Sequence, residues 1–239
     1  MNIIILGYGK MGEQVEKVAL ERKHKIIACI DNEQDWEKHA DKLKTADVAL
    51  EFSTPNTVLE NIEKCFQHNL PVVVGTTGWY DNLQTVKNHC IVKNQTLLYA
   101  SNFSLGVNLF FALNRALAKM MNGREEYDVS IEEIHHTAKK DSPSGTAINL
   151  ANDMIKYLSQ KESWINELND KTEELSIKSA RIDNTIGTHI VTYSSNLDEI
   201  EIKHVAHSRK SFAIGAVKAA EWLTDKKGFF SINDMLDFG

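Results

Sequence analysis

The stretch IIILGYGKMG, residues 3–12, decides the fold. Its first half is an unbroken run of β-favouring apolar residues. Such a run suits a strand covered on both faces, as in a parallel sheet. Its second half, GYGKMG, fits G-x-G-x-x-G and opens a helix predicted over residues 10–23. A second strand, KIIACID at residues 25–31, ends on Asp31, about twenty residues past the glycines, where an acidic residue reads a ribose. In that setting Gly7 permits the tight turn, Gly9 lets the backbone approach a pyrophosphate, and Gly12 lets helix and strand pack closely. The helix start offers unpaired N–H groups to the phosphates, so Tyr8, Lys10 and Met11 join the glycines as candidate cofactor residues. The bland reading is a glycine-rich turn with no ligand. Asp31 favours NADH through a free ribose hydroxyl, while Lys10 suits a 2′-phosphate, so NADH and NADPH both stay open.

Outward from this motif the same alternation continues. Strands are predicted at DVALEFS (47–53), PVVVG (71–75) and TLLYAS (96–101), with helical segments between most of them. That alternation predicts a doubly wound, Rossmann-like parallel sheet. The loops FSTPNT (52–57) and GTTGW (75–79) follow strand ends, where such sheets collect ligands; plain turn chemistry is the competing reading. After residue 103 the pattern changes. A long helix is expected over 108–121, then a strand at DVSIEEIH, then a helix over 146–158. Residues 159–176 read as loop or short helix. HIVTYSS (189–195) and EIEIKHVAHS (199–208) flank a short turn and read as an antiparallel hairpin. A final helix is expected over 212–223. The second domain is therefore α+β, built on an open, largely antiparallel sheet.

The bulk numbers exclude several classes. The 239 residues carry a net charge of -6, which argues against a nucleic-acid partner held by bulk electrostatics. No apolar run approaches the roughly 20 residues of a spanning helix, and the start MNIIIL lacks the pattern of an export signal. Cys29, Cys65 and Cys90 are odd in number without metal-type spacing, as expected of reduced thiols in a cytoplasmic protein.

The densest chemistry lies in EEIHHTAKKDSPSGTA, residues 132–147. DSPSGTA reads as a helix entrance, with Ser142 or Ser144 as the cap and Pro143 in the first turn. The hydroxyls of Ser144 and Thr146 and the N–H groups of Gly145 and Thr146 then converge on one point, an anion site. Capping alone is the competing reading. His135, His136 and Lys139 add groups that titrate near neutrality or act as acids. Together they point to an acidic substrate that is held and protonated. The stretch lacks H-x-x-x-H and H-E-x-x-H and has no cysteine nearby, so no metal is expected.

These residues resemble a known family, 4-hydroxy-tetrahydrodipicolinate reductase, also called dihydrodipicolinate reductase, of the diaminopimelate–lysine pathway. Its motif E-[IV]-x-E-x-H-x-x-x-K-x-D-x-P-S-G-T-A is matched in order by Ile131, Glu133, His135, Lys139, Asp141 and residues 143–147; Ser130 stands in place of the first glutamate. GYGKMG, GTTGW, ASNFSLGVN (100–108), GTH (187–189) and SRKSFAIGA (208–216) also have family counterparts. The resemblance implies that His135 is the proton donor and acceptor and Lys139 a proton donor. His136, Gly145 and Thr146 hold a cyclic dicarboxylate substrate, with Ser144 assisting. Gly75, Thr76, Thr77, Ala100, Ser101, Asn102 and Phe103 line the nicotinamide side, and Arg209 and Phe212 are placed with the cofactor set. It further implies a homotetramer joined through the second domain's sheet. The expected domains are 1–106 with 213–239 for the dinucleotide, and 107–212 for substrate and oligomerisation. Two rivals stay open on residues alone: another two-domain amino- or keto-acid dehydrogenase, and a nicotinamide sensor without turnover.

Overall fold

The computed structural model describes residues 1–169 and 171–237. It forms two compact units, residues 1–105 with 210–239, and residues 106–209.

In the first unit β1 (Asn2–Leu6), β2 (Lys25–Ile30), β3 (Val48–Glu51), β4 (Val72–Val74) and β5 (Thr96–Tyr99) are all parallel. Between them run α1 (Lys10–Glu21), α2 (Glu33–Lys38), α3 (Ala40–Leu43), α4 (Val58–Gln67) and α5 (Leu83–Val92). The unbroken apolar strands have the predicted cause. Ile3 and Ile5 face a core shared with α1, while Ile4 and Leu6 face a second core shared with α4 and α5. The strand order 2-1-3-4-5 reverses direction between β1 and β3, so the loops after those two strands flank the switch point where doubly wound sheets bind ligands.

In the second unit α6 (Leu105–Met121) and α7 (Gly145–Ile155) cover one face of a five-stranded sheet. Its strands are β6 (Asp128–His135), β7 (Ser163–Ile165), β8 (Glu174–Arg181), β9 (Gly187–Ser194) and β10 (Glu199–Ala206), in the order β10-β9-β6-β8-β7. The β10–β9–β6 half is antiparallel, hairpin included, as expected; β8 pairs parallel with β6, and β7 parallel with β8, so the sheet is mixed. Here the sequence reading needs correction. Residues 159–176 contain β7 and the start of β8 rather than loop or short helix. A three-residue strand flanked by polar residues leaves too little alternation to detect. α6 also begins three residues earlier than expected, because Leu105 and Gly106 are exposed and add nothing to the apolar stripe. α7 ends at Ile155, short of residue 158.

The chain then returns to the first unit. α8 (Lys210–Leu223) packs Ala213, Ala216, Val217 and Ala220 into the same core as α1. It is not the last element: β11 (Gly228–Ser231) adds a parallel edge strand beside β5, and α9 (Ile232–Leu236) follows. GFFS is too short to show a period, and pairing with β5 supplies what local pattern does not.

Leu98 is wholly buried in the core between sheet and α8. Leu98→Ala should destabilise the protein by about 2–5 kcal/mol, as buried large-to-small changes do. Leu197, 95% exposed in the β9–β10 turn, should tolerate alanine within about 0.5 kcal/mol. Urea unfolding of both variants checks this.

Candidate active site

The glycine loop is built as its spacing predicts. Gly7 has φ +86°, and a Cβ there would stand 2.5 Å from the Phe52 carbonyl oxygen. One on Gly12 would stand 2.4 Å from the Gly7 carbonyl oxygen, whereas one on Gly9 would meet nothing within 4 Å. The first and third glycines thus serve the fold, and the second leaves its backbone open to a ligand. No side chain caps α1, which starts from Gly9, so its first-turn N–H groups at Lys10, Met11 and Gly12 are available to an anion. The Tyr8 N–H donates to Asp31 Oδ1 at 2.9 Å, which ties the loop to the end of β2. These residues fit a dinucleotide.

The neighbouring loops are also held from below. Glu51, fully buried at the end of β3, accepts from the Ser53 N–H at 3.1 Å and from Asn61 Nδ2 at 3.3 Å. Burial raises its pKa above the usual carboxylate range, against the hydrogen bonds that lower it. Gly75, Thr76 and Thr77 follow β4, and Trp79 Nε1 donates to the Thr76 carbonyl at 2.8 Å. Ala100, Ser101, Asn102 and Phe103 follow β5; the Phe103 ring lies 6.0 Å from that of Phe52. Phe212 sits in the first turn of α8.

In the second unit the strand period carries the chemistry. Val129, Ile131, Glu133 and His135 alternate onto the buried face of β6. The register aligns Ile131 with Ile177 and Val191, then Glu133 with Ser179 and His189, then His135 with Arg181. An apolar row therefore gives way to polar ones toward the end of the strand. Glu133 has no solvent exposure. Its Oε1 accepts from Arg181 Nη1 and Nη2, both at 3.2 Å, and its Oε2 accepts from the Ser144 N–H at 3.0 Å. Burial works to raise its pKa, but the Ser144 contacts and other hydrogen bonds hold it below the usual carboxylate range.

The two buried histidines stand edge to face, ring centres 5.0 Å apart. His135 Nδ1 lies 3.4 Å from Glu133 Oε2, outside hydrogen-bond alignment. Burial lowers its pKa, against the pull of Glu133. Burial, with His135 close by, pushes His189 down to about 3. Among the described residues Glu133, His135 and His189 offer ligand atoms within 4.8 Å of one another. Arg181 already pairs with Glu133, and Ser144 occupies both Glu133 Oε2 and His189 Nε2, so Glu133 and His189 are wired into a hydrogen-bond network beside His135.

Around this base lie the other predicted residues. Ser144, not Ser142, is the N-cap of α7; its hydroxyl accepts from the Ala147 N–H at 3.2 Å and lies 3.1 Å from His189 Nε2. Pro143 precedes the cap rather than joining the first turn. Gly145 and Thr146 form that turn, where helix N–H groups have no internal partner. Lys139 Nζ is held by both oxygens of Asp141 at 2.8 Å, so it is an ion-paired lysine. His136 Nε2 lies 3.2 Å from Arg209 Nη2, and both line a cleft of about 220 Å³ with Asn184, Thr185 and Ile186. Arg209, expected with the cofactor set, lies in the second unit, as the expected domain bounds have it, beside His136. Sequence reading missed Arg181 and the roles of Glu133 and His189. The last two lie within quoted motifs, and period-two alternation places Glu133 on the same face as His135.

A doubly wound sheet with an open glycine loop, together with a unit that joins imidazoles, a lysine and a helix entrance whose Gly145 and Thr146 N–H groups lack an internal partner, defines an NAD(P)H-dependent oxidoreductase of two-domain type. Family models for the N-terminus and C-terminus of dihydrodipicolinate reductase match residues 1–103 and 106–236. A 4-hydroxy-tetrahydrodipicolinate reductase from Christiangramia forsetii is 49% identical over 237 residues, 99% of this chain and 98% of that one. One from Rickettsia bellii is 36% identical, covering 96% and 90%. A solved dipicolinate-bound dihydrodipicolinate reductase from Paenisporosarcina sp. TG-14 shares the fold, with TM-score 0.77 over 98% of this chain and 99% of that one at 22% identity. The chain belongs to the dihydrodipicolinate reductase family, the NAD(P)H-dependent reductases of diaminopimelate and lysine biosynthesis.

Neutral His189 makes stability fall in acid. An unfolded histidine titrates near 6.5, whereas folded His189 titrates at about 3. Below about pH 6.5 the unfolded chain takes up a proton that the folded one refuses, so stability drops as pH falls toward 3. His189→Gln should flatten the decline of Tm between about pH 6 and pH 4. Thermal melts of both proteins across that range check it; equal slopes would mean that His189 is not held neutral.

Proposed function

We propose that this chain reduces 4-hydroxy-tetrahydrodipicolinate to tetrahydrodipicolinate with NADH or NADPH, using His135 and Lys139 for the proton. One observation carries the reading. The Ser144 N–H at the anion-binding helix entrance and the imidazole of His135 meet the same buried carboxylate oxygen, Glu133 Oε2. Substrate docking and proton transfer are thereby referred to one fixed point.

The open backbone at Gly9, the first-turn N–H groups of α1 and the Asp31 carboxylate would hold a nicotinamide cofactor, which would supply the hydride. The substrate is a ring with two carboxylates and, after loss of water, a conjugated C=N bond. One carboxylate docks on the N–H groups of Gly145 and Thr146 and the Thr146 hydroxyl. Arg209, held beside His136, forms a second, cationic contact. The Ser144 hydroxyl is engaged by the Ala147 N–H and His189, so Ser144 acts by fixing the helix entrance. Hydride addition at one ring carbon leaves negative charge on the adjacent carbon, which takes the proton. His135 and Lys139, the latter fixed by Asp141, supply the proton and stabilise that charge as it develops.

Assembly as a homotetramer through the second unit's sheet and a cytoplasmic location complete the proposal. Exposed Ile200 and Val205 on β10 support the first, and three unpaired cysteines support the second. No helix among the described residues is long and apolar enough to cross a membrane, and the net charge of -6 suits a small-molecule partner better than nucleic acid.

Loss of reduced-nicotinamide absorbance on adding the product of the preceding pathway enzyme tests the activity; no turnover would return the sensor reading. Lys139→Ala should lower kcat by about two orders of magnitude, within the 10²–10⁴ range of positioned proton transfer, and exposed Lys140→Ala by less than about tenfold. Equal small effects would remove Lys139 from the chemistry. Thr146→Val should raise substrate KM by roughly ten- to a hundredfold, as loss of a hydrogen bond to a charged group implies, with cofactor affinity unchanged. Steady-state kinetics and separate NADH titration measure both.

A further inference from the structure

Beyond the glycine loop the first unit carries a cleft of about 220 Å³ lined by Gly7, Asp31, Glu33, Trp36, Glu60 and Lys64, among others. It opens at the end of β2, where the ribose of a dinucleotide is read. Three of these residues are carboxylates, and Lys64 is the cation among the cleft's lining residues. Lys64 is not turned to the cleft as a free charge. Its ammonium is bonded to the Glu33 carboxylate, lies 2.9 Å from Glu60 Oε1, and stands 5.2 Å from the centre of the Trp36 ring. Glu60 and Lys64 are one turn apart on α4, and Glu33 reaches across from α2, so the lysine is clamped between two elements.

We propose, resting on the nicotinamide reading above, that the Glu33–Lys64–Glu60 clamp sets the cofactor choice of this chain by withholding Lys64 from a 2′-phosphate. A ribose diol carries no charge and donates to a carboxylate such as Asp31. A 2′-phosphate brings about 1.5 to 2 negative charges at neutral pH into a cleft already dominated by carboxylates. A compact ammonium is a ready partner for phosphate, but here two carboxylates already share its charge and occupy two of its three donors. The clamp therefore makes Asp31 only part of the device: beyond Lys10 of the glycine loop, the cation of this cleft that would favour NADPH is present and held neutralised.

The test is direct titration of the intact protein with NADH and with NADPH, followed by nicotinamide fluorescence. Wild type should bind NADH more tightly. Glu33→Gln with Glu60→Gln should tighten NADPH by about tenfold, equal to about 1.4 kcal/mol, and leave NADH within about twofold. The gain should shrink at high salt. Adding Lys64→Gln to the pair should abolish it, which separates release of the lysine from simple removal of negative charge. Should the pair unfold, the exposed Glu60→Gln alone must shift NADPH the same way by a smaller factor. An unchanged NADPH to NADH ratio in the pair, or a gain that survives loss of Lys64, overturns the clamp while the cofactor reading stands. Wild type that binds neither nucleotide overturns the cofactor reading itself.

Discussion

A carboxylate without solvent exposure, Glu133, constrains the whole second unit. Removing one partner from a buried ion pair costs about 3–5 kcal/mol, because the other charge is left unpaired. Arg181 and the Ser144 N–H must therefore be where they are whenever the unit is folded. Arg181 also donates to the Asp141 carbonyl at 2.5 Å, so the same demand positions the loop that carries Lys139. Ser144 caps α7, so it also sets the start of that helix. One buried charge thus fixes a strand end, a loop and a helix entrance.

The first unit meets its ligand by different means. Its glycine loop works through backbone, with Gly7 and Gly12 demanded by close approach of the chain to itself and Gly9 left open. Side chains act at the edges: Asp31 holds the loop through the Tyr8 N–H, and Glu51 holds the loop after β3 from beneath. A backbone cradle suits a pyrophosphate common to both nicotinamide cofactors. Discrimination then has to come from side chains, and the cleft of Asp31 and Lys64 at the end of β2 offers charged ones.

Much of this was legible in the sequence because it is local. IIIL reads as a two-sided strand, GYGKMG as the turn after it, and Ser142 or Ser144 as a cap, each from residues in a short window. What stayed hidden depends on pairing between distant residues. β7 and β11 are three and four residues long and exist because β8 and β5 receive them. The parallel pairing of β8 with β6, which brings Arg181 beside His135 and within reach of Glu133, has no local signature either. Lys64 reads on its own as an exposed helix lysine, and only the meeting of α2 and α4 shows that it is held. Lys139 stood two residues from its partner Asp141 in plain view, yet a loop does not announce which way neighbouring side chains turn.

The two histidines complete the logic of the site. Burial disfavours the imidazolium of both, which at first sight is a poor start for an acid. The ground state of a proton donor is nevertheless set by what binds to it. A substrate with two carboxylates brings negative charge toward the loop, and nearby negative charge favours the protonated form of an imidazole. His135, close to Glu133 but without a hydrogen bond to it, is free to respond. His189, engaged with Ser144 and buried deeper, is not. On the proposed chemistry, His135 is the imidazole able to answer to a dianionic substrate, and His189 the one that keeps its frame.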